Sequence, residues 1–389
     1  NSRPRTAGES EGGSGICRLA RRGSRYDVGI GFLYSTEHLT HVVDGYYQLL
    51  LRRSIDSVGR QTWVTKIQTG SRDEQIIAAI VASAEYRKGI PGGTTRISVP
   101  IAGTRVDNPS LSSSISADGR WIAFDSLASN LVAGGTHGVS DVYVTDRTTG
   151  VTSLVSRSTS GTPGNATSIA PSISADGRWI AYWSFASNLV AGDTNAVADV
   201  FLTDRTTGAT SRISTATDGS QGNGESNEPS ISADGRWISY ASYASNLVAD
   251  DTNGVPDVFV TDRTTGTTTL VSRATDGALG NGASRNPSIN TDGRWITYEA
   301  YASNLVTGDT NAVADVFLTD RTTGATSRIS TATDGTQGND GSINPSISSN
   351  GRWITYESDA SSLVPGDTNG QADVFVTDRT TGTTTLVSR

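Results

Sequence analysis

GDTNAVADVFLTDRTTGATSRISTATDG runs from Gly192 to Gly219 and returns letter for letter from Gly308 to Gly335. The true period is half that interval. DGRW sets Trp121, Trp179, Trp237 and Trp295, and NGRW sets Trp353; TDRTTG sets Asp146, Asp204, Asp262, Asp320 and Asp378. Every step in both series is 58 residues. Five copies of one unit therefore fill the chain from about residue 100 to 389, and a period of this size marks a repeat architecture.

Each unit reads as four short strands. In the second copy they fall over residues 171–174, 178–184, 199–205 and 209–215. Ala175-Asp176-Gly177 makes the first hairpin, because Asp-Gly accepts positive φ. Aromatic and β-branched residues fill the strands, while Gly, Asp, Asn and Pro separate them. Val200-Phe201-Leu202 is apolar without alternation, as expected of a strand covered on both faces. A four-stranded sheet of this size cannot bury both faces alone, so its copies must stack around an axis. The fold class expected is mainly β: a five-bladed β-propeller of four-stranded blades with an N-terminal α-helical domain.

Composition agrees with many turns and short strands. Hydrophobic residues are 35% and charged residues 18%, with 43 Gly. The one cysteine, Cys17, excludes an intrachain disulfide and a cysteine metal cluster. Residues 1–93 carry 13 Lys and Arg against 9 Asp and Glu, a net +4; residues 94–389 carry 18 against 30, a net −12, with no Lys. An acidic propeller argues against a nucleic-acid partner. The longest apolar run, Ile76 to Ala84, is too short to cross a bilayer. The chain contains no Met and opens on no signal peptide, so a processed or partial chain is expected.

The set P-S-I-S-x-D-G-R-W-I-x-Y…D-V-F-V-x-D-R-x-T-G resembles the WD-repeat-like propeller family related to the TolB propeller, across all five repeats. The resemblance implies that the first strand of each blade lines the central channel and the fourth lies at the rim. It also implies a binding surface rather than catalysis. The segment TTRISV (residues 94–99) falls in register with a fourth strand, Ile97 preceding Trp121 as Ile213 precedes Trp237. Five blades with one spare strand is the preferred reading, against a longer propeller lacking a final repeat. The first copy departs from the others: Ser113 replaces the Pro of position 171, and Gly135 the Asp of position 193.

Ahead of the propeller, residues 38–53 and the runs RQTWVTKIQ and DEQIIAAIVASAEYR have helical periodicity. The pattern resembles a small helical domain of unknown function common in bacterial surface and secreted proteins, with Asp56, Gly59, Trp63, Ser83, Glu85 and Tyr86 matching and Arg52 in place of its Gly. The expected division is 1–37, remnant of a preceding helical module; 38–90, helical domain; 91–99, linker and extra outer strand; 100–389, propeller.

Four repeats carry Asp-Thr-Asn-x-x-x-Asp: Asp193, Asn195, Asp199; Asp251, Asn253, Asp257; Asp309, Asn311, Asp315; Asp367, Asn369, Asp373. Alternating oxygen side chains make them candidate Ca²⁺ ligands, the one cofactor on offer. Turn chemistry before the third strand is the competing and favoured reading. The repeated Trp is expected between blades rather than exposed for sugar stacking, and the repeated Arg and Asp are expected to pair. His38 and His41 read as helix surface. With no nucleophile elbow or phosphate loop in the sequence, the chain reads as no enzyme. The expected role is a structural or interaction scaffold of the bacterial cell surface or exterior, with the periplasm as second choice. Its partners would be envelope proteins or further copies, assembling as a layer or filament. The alternative is a multivalent carbohydrate-binding propeller.

Overall fold

The computed structural model describes residues 36–51, 55–68, 94–100, 106–133 and 138–388. Of the expected module remnant (1–37), residues 1–35, Cys17 among them, lie outside the described residues, as do the third apolar helix, Gly135 and His137, while Thr36 and Glu37 open the first described helix. The chain divides into two compact units, Asn1–Arg96 and Ile97–Arg389.

In the first unit, helix α1 (Thr36–Leu51) and helix α2 (Ser57–Gln68) pack together. Leu39, Val43 and Tyr47, spaced one turn apart, bury one face of α1 against Ile55, Val64 and Ile67. Asp56 caps α2 by accepting the Gly59 amide at 2.7 Å. The Trp63 indole donates to the Tyr47 hydroxyl at 2.9 Å. His41 is exposed on α1 and His38 half-buried.

The second unit holds five antiparallel sheets of four strands. Blade 1 is β1 (Ser110–Ile115), β2 (Trp121–Ser126), β3 (Asp141–Asp146) and β4 (Val151–Leu154). Blade 2 is β5 (Ser168–Ile173), β6 (Trp179–Ser184), β7 (Asp199–Asp204) and β8 (Thr210–Arg212). Blade 3 is β9 (Ser226–Ile231), β10 (Trp237–Ser242), β11 (Asp257–Asp262) and β12 (Thr267–Leu270). Blade 4 is β13 (Ser284–Ile289), β14 (Trp295–Ala300), β15 (Asp315–Asp320) and β16 (Ala325–Arg328). Blade 5 is β17 (Ser342–Ile347), β18 (Trp353–Ser358), β19 (Asp373–Asp378) and β20 (Thr383–Leu386).

Each sheet runs in chain order, and the first strands of successive blades pack against one another. This is a five-bladed β-propeller. The third strands of blades 1 to 4 are buried along their whole length, as the unbroken apolar run requires. Each blade's Tyr or Phe from the second strand stacks on an aromatic of the third, at 5.9 to 6.1 Å between centroids.

Two details differ from the sequence expectation. The first strand of blade 2 begins at Ser168, ahead of Pro171, and a bulge lies between Ile169 and Ser172. Proline cannot donate to a ladder, which suits the break in pairing, but blade 1 bulges between Leu111 and Ser113 with no proline there. The bulge residue takes positive φ in every blade: Ser112, Ala170, Glu228, Asn286 and Asn344. The second difference is at residues 94–100, which form no strand. Ile97 nevertheless packs on Phe124 and Tyr143 of blade 1, the place Ile213 takes on Tyr240 and Phe259 of blade 3.

Candidate binding face

The repeated charged residues are engaged within the blades. The GRW arginine of each blade grips the TDR aspartate of the same blade with two hydrogen bonds, as Arg178 does Asp204 at 3.1 and 2.8 Å. The same pair forms in the other four blades. Bidentate geometry of this kind is the strong form of the contact, and it holds the Asp204 carboxyl well below its ordinary range. The TDR arginine reaches sideways to the preceding blade. Arg205 lies 3.4 Å from the Trp121 ring centroid, Arg263 3.8 Å from Trp179, Arg321 3.4 Å from Trp237 and Arg379 3.8 Å from Trp295. Each of those indoles also carries its own blade's GRW arginine. All four DGRW tryptophans are thus seam residues rather than sugar platforms.

The Asp-Asn loops are built as turns. In blade 2 the Asn195 side-chain amide donates to Asp199 at 3.1 Å and to the Gly222 carbonyl at 3.0 Å, and Asn195 Oδ1 accepts the Val197 amide. Gln221 Nε2 donates to both Asp193 and Asp199, at 2.9 and 3.2 Å, and Arg212 Nη1 stands 3.5 Å from each. Blade 4 repeats this with Asp309, Asn311, Asp315, Gln337 and Arg328. The donors occupy the space between the two carboxylates. Blade 3 keeps Asp251, Asn253 and Asp257 but has Leu270 and Leu279 where blade 2 has Arg212 and Gln221. Burial raises the Asp251 carboxyl and pushes Asp257 up to about 6. In blade 5, Asn369 donates to Asp373 at 2.7 Å. Among the described residues no three His, Cys, Asp or Glu side chains converge as a metal site.

The exposed, unspent chemistry sits elsewhere. One residue past the second strand of each blade stands an outward side chain: Leu127, Phe185, Tyr243, Tyr301 and Asp359. The first four are large and exposed, up to 57% at Tyr301. Rigid loops present them. Asn223 accepts from Ser245 and its own amide donates to Asn246, and the Asn165 and Asn281 loops repeat the clamp. A Cβ on Gly224 or Gly282 would meet the backbone of Tyr243 or Tyr301 at 2.6 or 2.7 Å, so only glycine admits that approach.

The bulges lie at this same end, since Ser168 pairs with Ser184 immediately before Phe185. Carboxylates of the preceding blade satisfy their strained amides: Asp125 accepts from Ala170 at 3.2 Å, Glu228 from Asn286 at 2.8 Å and Glu299 from Asn344 at 2.8 Å. Burial raises Glu228 despite that bond. Arg285 donates to the Tyr243 hydroxyl at 2.5 Å, while its buried Nε has no hydrogen-bond partner. Trp183 meets Phe185 edge-on at 5.5 Å. Exposed aromatic faces beside the Arg285 guanidinium form a surface for a ligand with both apolar and hydrogen-bonding character.

The sequence reading placed the DGRW tryptophans between blades, where four of the repeated Trp lie, and singled out no aromatic of this set. The available signal was an aromatic recurring at 58 residues just outside a strand, ahead of Ala-Ser-Asn.

No protein-family model matches the chain, and no curated protein matches it. Similar solved structures include TolB from Acinetobacter baumannii, at 17% identity and a TM-score of 0.45 over 72% of this chain. The chain spans 55% of that protein's length. A TolB of Agrobacterium tumefaciens is 16% identical with a TM-score of 0.46, covering 72% of this chain and 80% of that one. A puromycin-hydrolysing peptidase of Mycobacterium tuberculosis is 11% identical with a TM-score of 0.47, covering 72% and 38%. Among the described residues no helix is long and apolar enough to cross a membrane.

Proposed function

We propose that this chain is a non-enzymatic scaffold of the bacterial cell surface or exterior. It holds protein partners on the aromatic end of its propeller and assembles with further copies into a layer or filament. The observation that carries this reading is a division of labour within the repeat. Residues kept from blade to blade are spent on blade architecture, as in the Arg178–Asp204 grip and the Arg263–Trp179 stack. The residues that vary, Leu127, Phe185, Tyr243, Tyr301 and Asp359, are gathered at one end. Exposed aromatics on rigid loops are the side chains that anchor interfaces, and a row of them lets weak contacts add.

The second reading, a multivalent carbohydrate-binding propeller, is favoured by one feature: the exposed Tyr243 ring with the Arg285 guanidinium over it. A glycan array, run with and without Ca²⁺, separates the two when paired with capture of envelope proteins by immobilised chain. The scaffold reading expects protein capture that falls at least tenfold in a Tyr243→Ala/Tyr301→Ala variant, with no glycan retained. Selective glycan retention overturns it. The Ca²⁺ reading of the Asp-Asn loops narrows to blade 3, where Leu270 and Leu279 leave Asp251 and Asp257 without the donors of blade 2. A Ca²⁺-dependent rise in melting temperature, lost in Asp257→Asn, would support it.

A further inference from the structure

The four seams between blades are built from one set of contacts. At the seam of blades 2 and 3, Arg263 covers Trp179 and Gly235 lies flat on the same indole, where a Cβ would stand 2.3 Å from its ring. Ser172 Oγ accepts the Ile231 amide, and the Ala175 amide donates to the Ala233 carbonyl. Thr268 Oγ1 donates to the Thr215 carbonyl at 2.6 Å, and Ile213 seats among Tyr240 and Phe259. The other three seams repeat the set.

Blade 5 carries the tryptophan side of this seam, and no described residue packs on it as a following blade does. Trp353 is 42% exposed and Val387, the counterpart of Ile213, 55% exposed. Val374 is exposed as well, in the one third strand that is not wholly buried. Blade 1 carries the other side: Ile115 and Val151 are exposed, and Arg147 holds the Gly119 carbonyl at 2.7 Å as Arg205 holds Gly177. Blades 1 and 5 do not pack on one another as neighbours do. The described propeller thus presents two faces that are the two halves of its own internal seam.

One seat is already taken. Ile97 fills on blade 1 the hollow of Phe124 and Tyr143 that a preceding blade's Val387 would enter. We propose that blade 5 of one copy docks on blade 1 of a second copy through this seam, and that Ile97 is the plug that docking must displace. This deepens the assembly part of the scaffold reading by naming the partner. Such a contact is heterologous, so it propagates head to tail into a ring or filament.

Sedimentation of the full chain over a concentration series tests it. Ile97→Asp should associate at a concentration at least tenfold lower than the wild-type chain, and Trp353→Glu added to that variant should return it to a monomer. The double variant mixed with wild-type chain should stop at a one-to-one dimer, since only one pair of open and intact faces remains. That capped dimer separates specific docking from stickiness of an opened core, and far-ultraviolet circular dichroism checks that each variant is folded. An Ile97→Asp chain with the same mass profile as wild type overturns the proposal, as does association that Trp353→Glu leaves intact. A monomer throughout defeats the plug and docking alone, while partner capture on the aromatic end still stands or falls by its own measurement.

Discussion

Trp237 and Trp353 occupy the same letter of the same repeat, yet live in different surroundings. Trp237 lies between Arg236 of its own blade at 4.8 Å and Arg321 of the next at 3.4 Å. Among the described residues Trp353 has only Arg352 on its ring, at 4.9 Å, and is 42% exposed. The strand patterns tell the same story: β10 is buried almost throughout, while β18 alternates between buried and exposed. Burial in this molecule is conferred by the neighbouring blade, and a residue's own repeat only offers it. End blades therefore serve as internal controls for interior ones.

The largest contrast should come from the hairpin glycines. A Cβ on Gly235 would stand 2.3 Å from Trp179 Cδ1, on a backbone with φ +70. Gly119 has nearly the same φ, +68, but its Cβ would meet nothing nearer than Arg147 at 3.4 Å. Gly235→Ala should lose about 3–4 kcal/mol, left-handed strain and overpacking together. Gly119→Ala should lose about 1 kcal/mol, the strain alone. Chemical denaturation of the two variants reads the difference, and equal losses would break the idea that the seam makes the glycine obligatory.

Removing the indole comes next. Trp237→Ala empties a site roofed from both sides and should cost about 3 kcal/mol. Trp353→Ala removes a half-open ring and should cost about 1 kcal/mol. If the end-face docking occurs, the second figure should grow with protein concentration, because the ring is then covered by a second copy. A concentration-independent value near the first figure would mean that Trp353 is covered within its own chain.

Much of this was legible in the letters. The period, the blade and the strand boundaries at DGRW and TDR follow from local rules, namely Asp-Gly turns, β-branched strands and an apolar run before Thr-Asp. The Arg and Asp pairing was legible for the same reason, since partners stand at fixed places in one hairpin stack. The bulge was not. Its positive φ at Ala170 is sustained by Asp125 of another blade, and no local pattern displays a partner 45 residues away. The aromatic end was missed because Phe185, Tyr243 and Tyr301 lie just outside the strands, where an apolar residue reads as the fringe of the core. The spare strand was half legible: Ile97 takes the expected seat, but a lone segment with no third strand beside it has no ladder to join.

The subtlest contrast is one of degree: burial also raises Asp193 of blade 2 and Asp315 of blade 4, but Asp257 of blade 3 lacks the Arg and Gln that face those carboxylates. Asp257 is pushed up to about 6 from an ordinary 3.8, because burial outweighs the bonds from Ser272 and Asn253. A carboxyl raised on folding binds its proton more tightly in the folded chain. Its contribution to stability is therefore full below 3.8 and is lost as pH rises through about 6. The five Asp204-type carboxyls, lowered by their arginines, work the other way: their contribution is present above about 3.8 and fades as pH falls below it. Between pH 5 and 7 only the first effect operates among these groups, so the melting temperature should fall modestly as pH rises across that window. Asp257→Asn should flatten the slope while keeping the acceptor for Ser272. An unchanged slope in that variant would assign the pH dependence to another group, and Glu228, Asp193, Asp251 and Asp315, also raised by burial, are the next to replace.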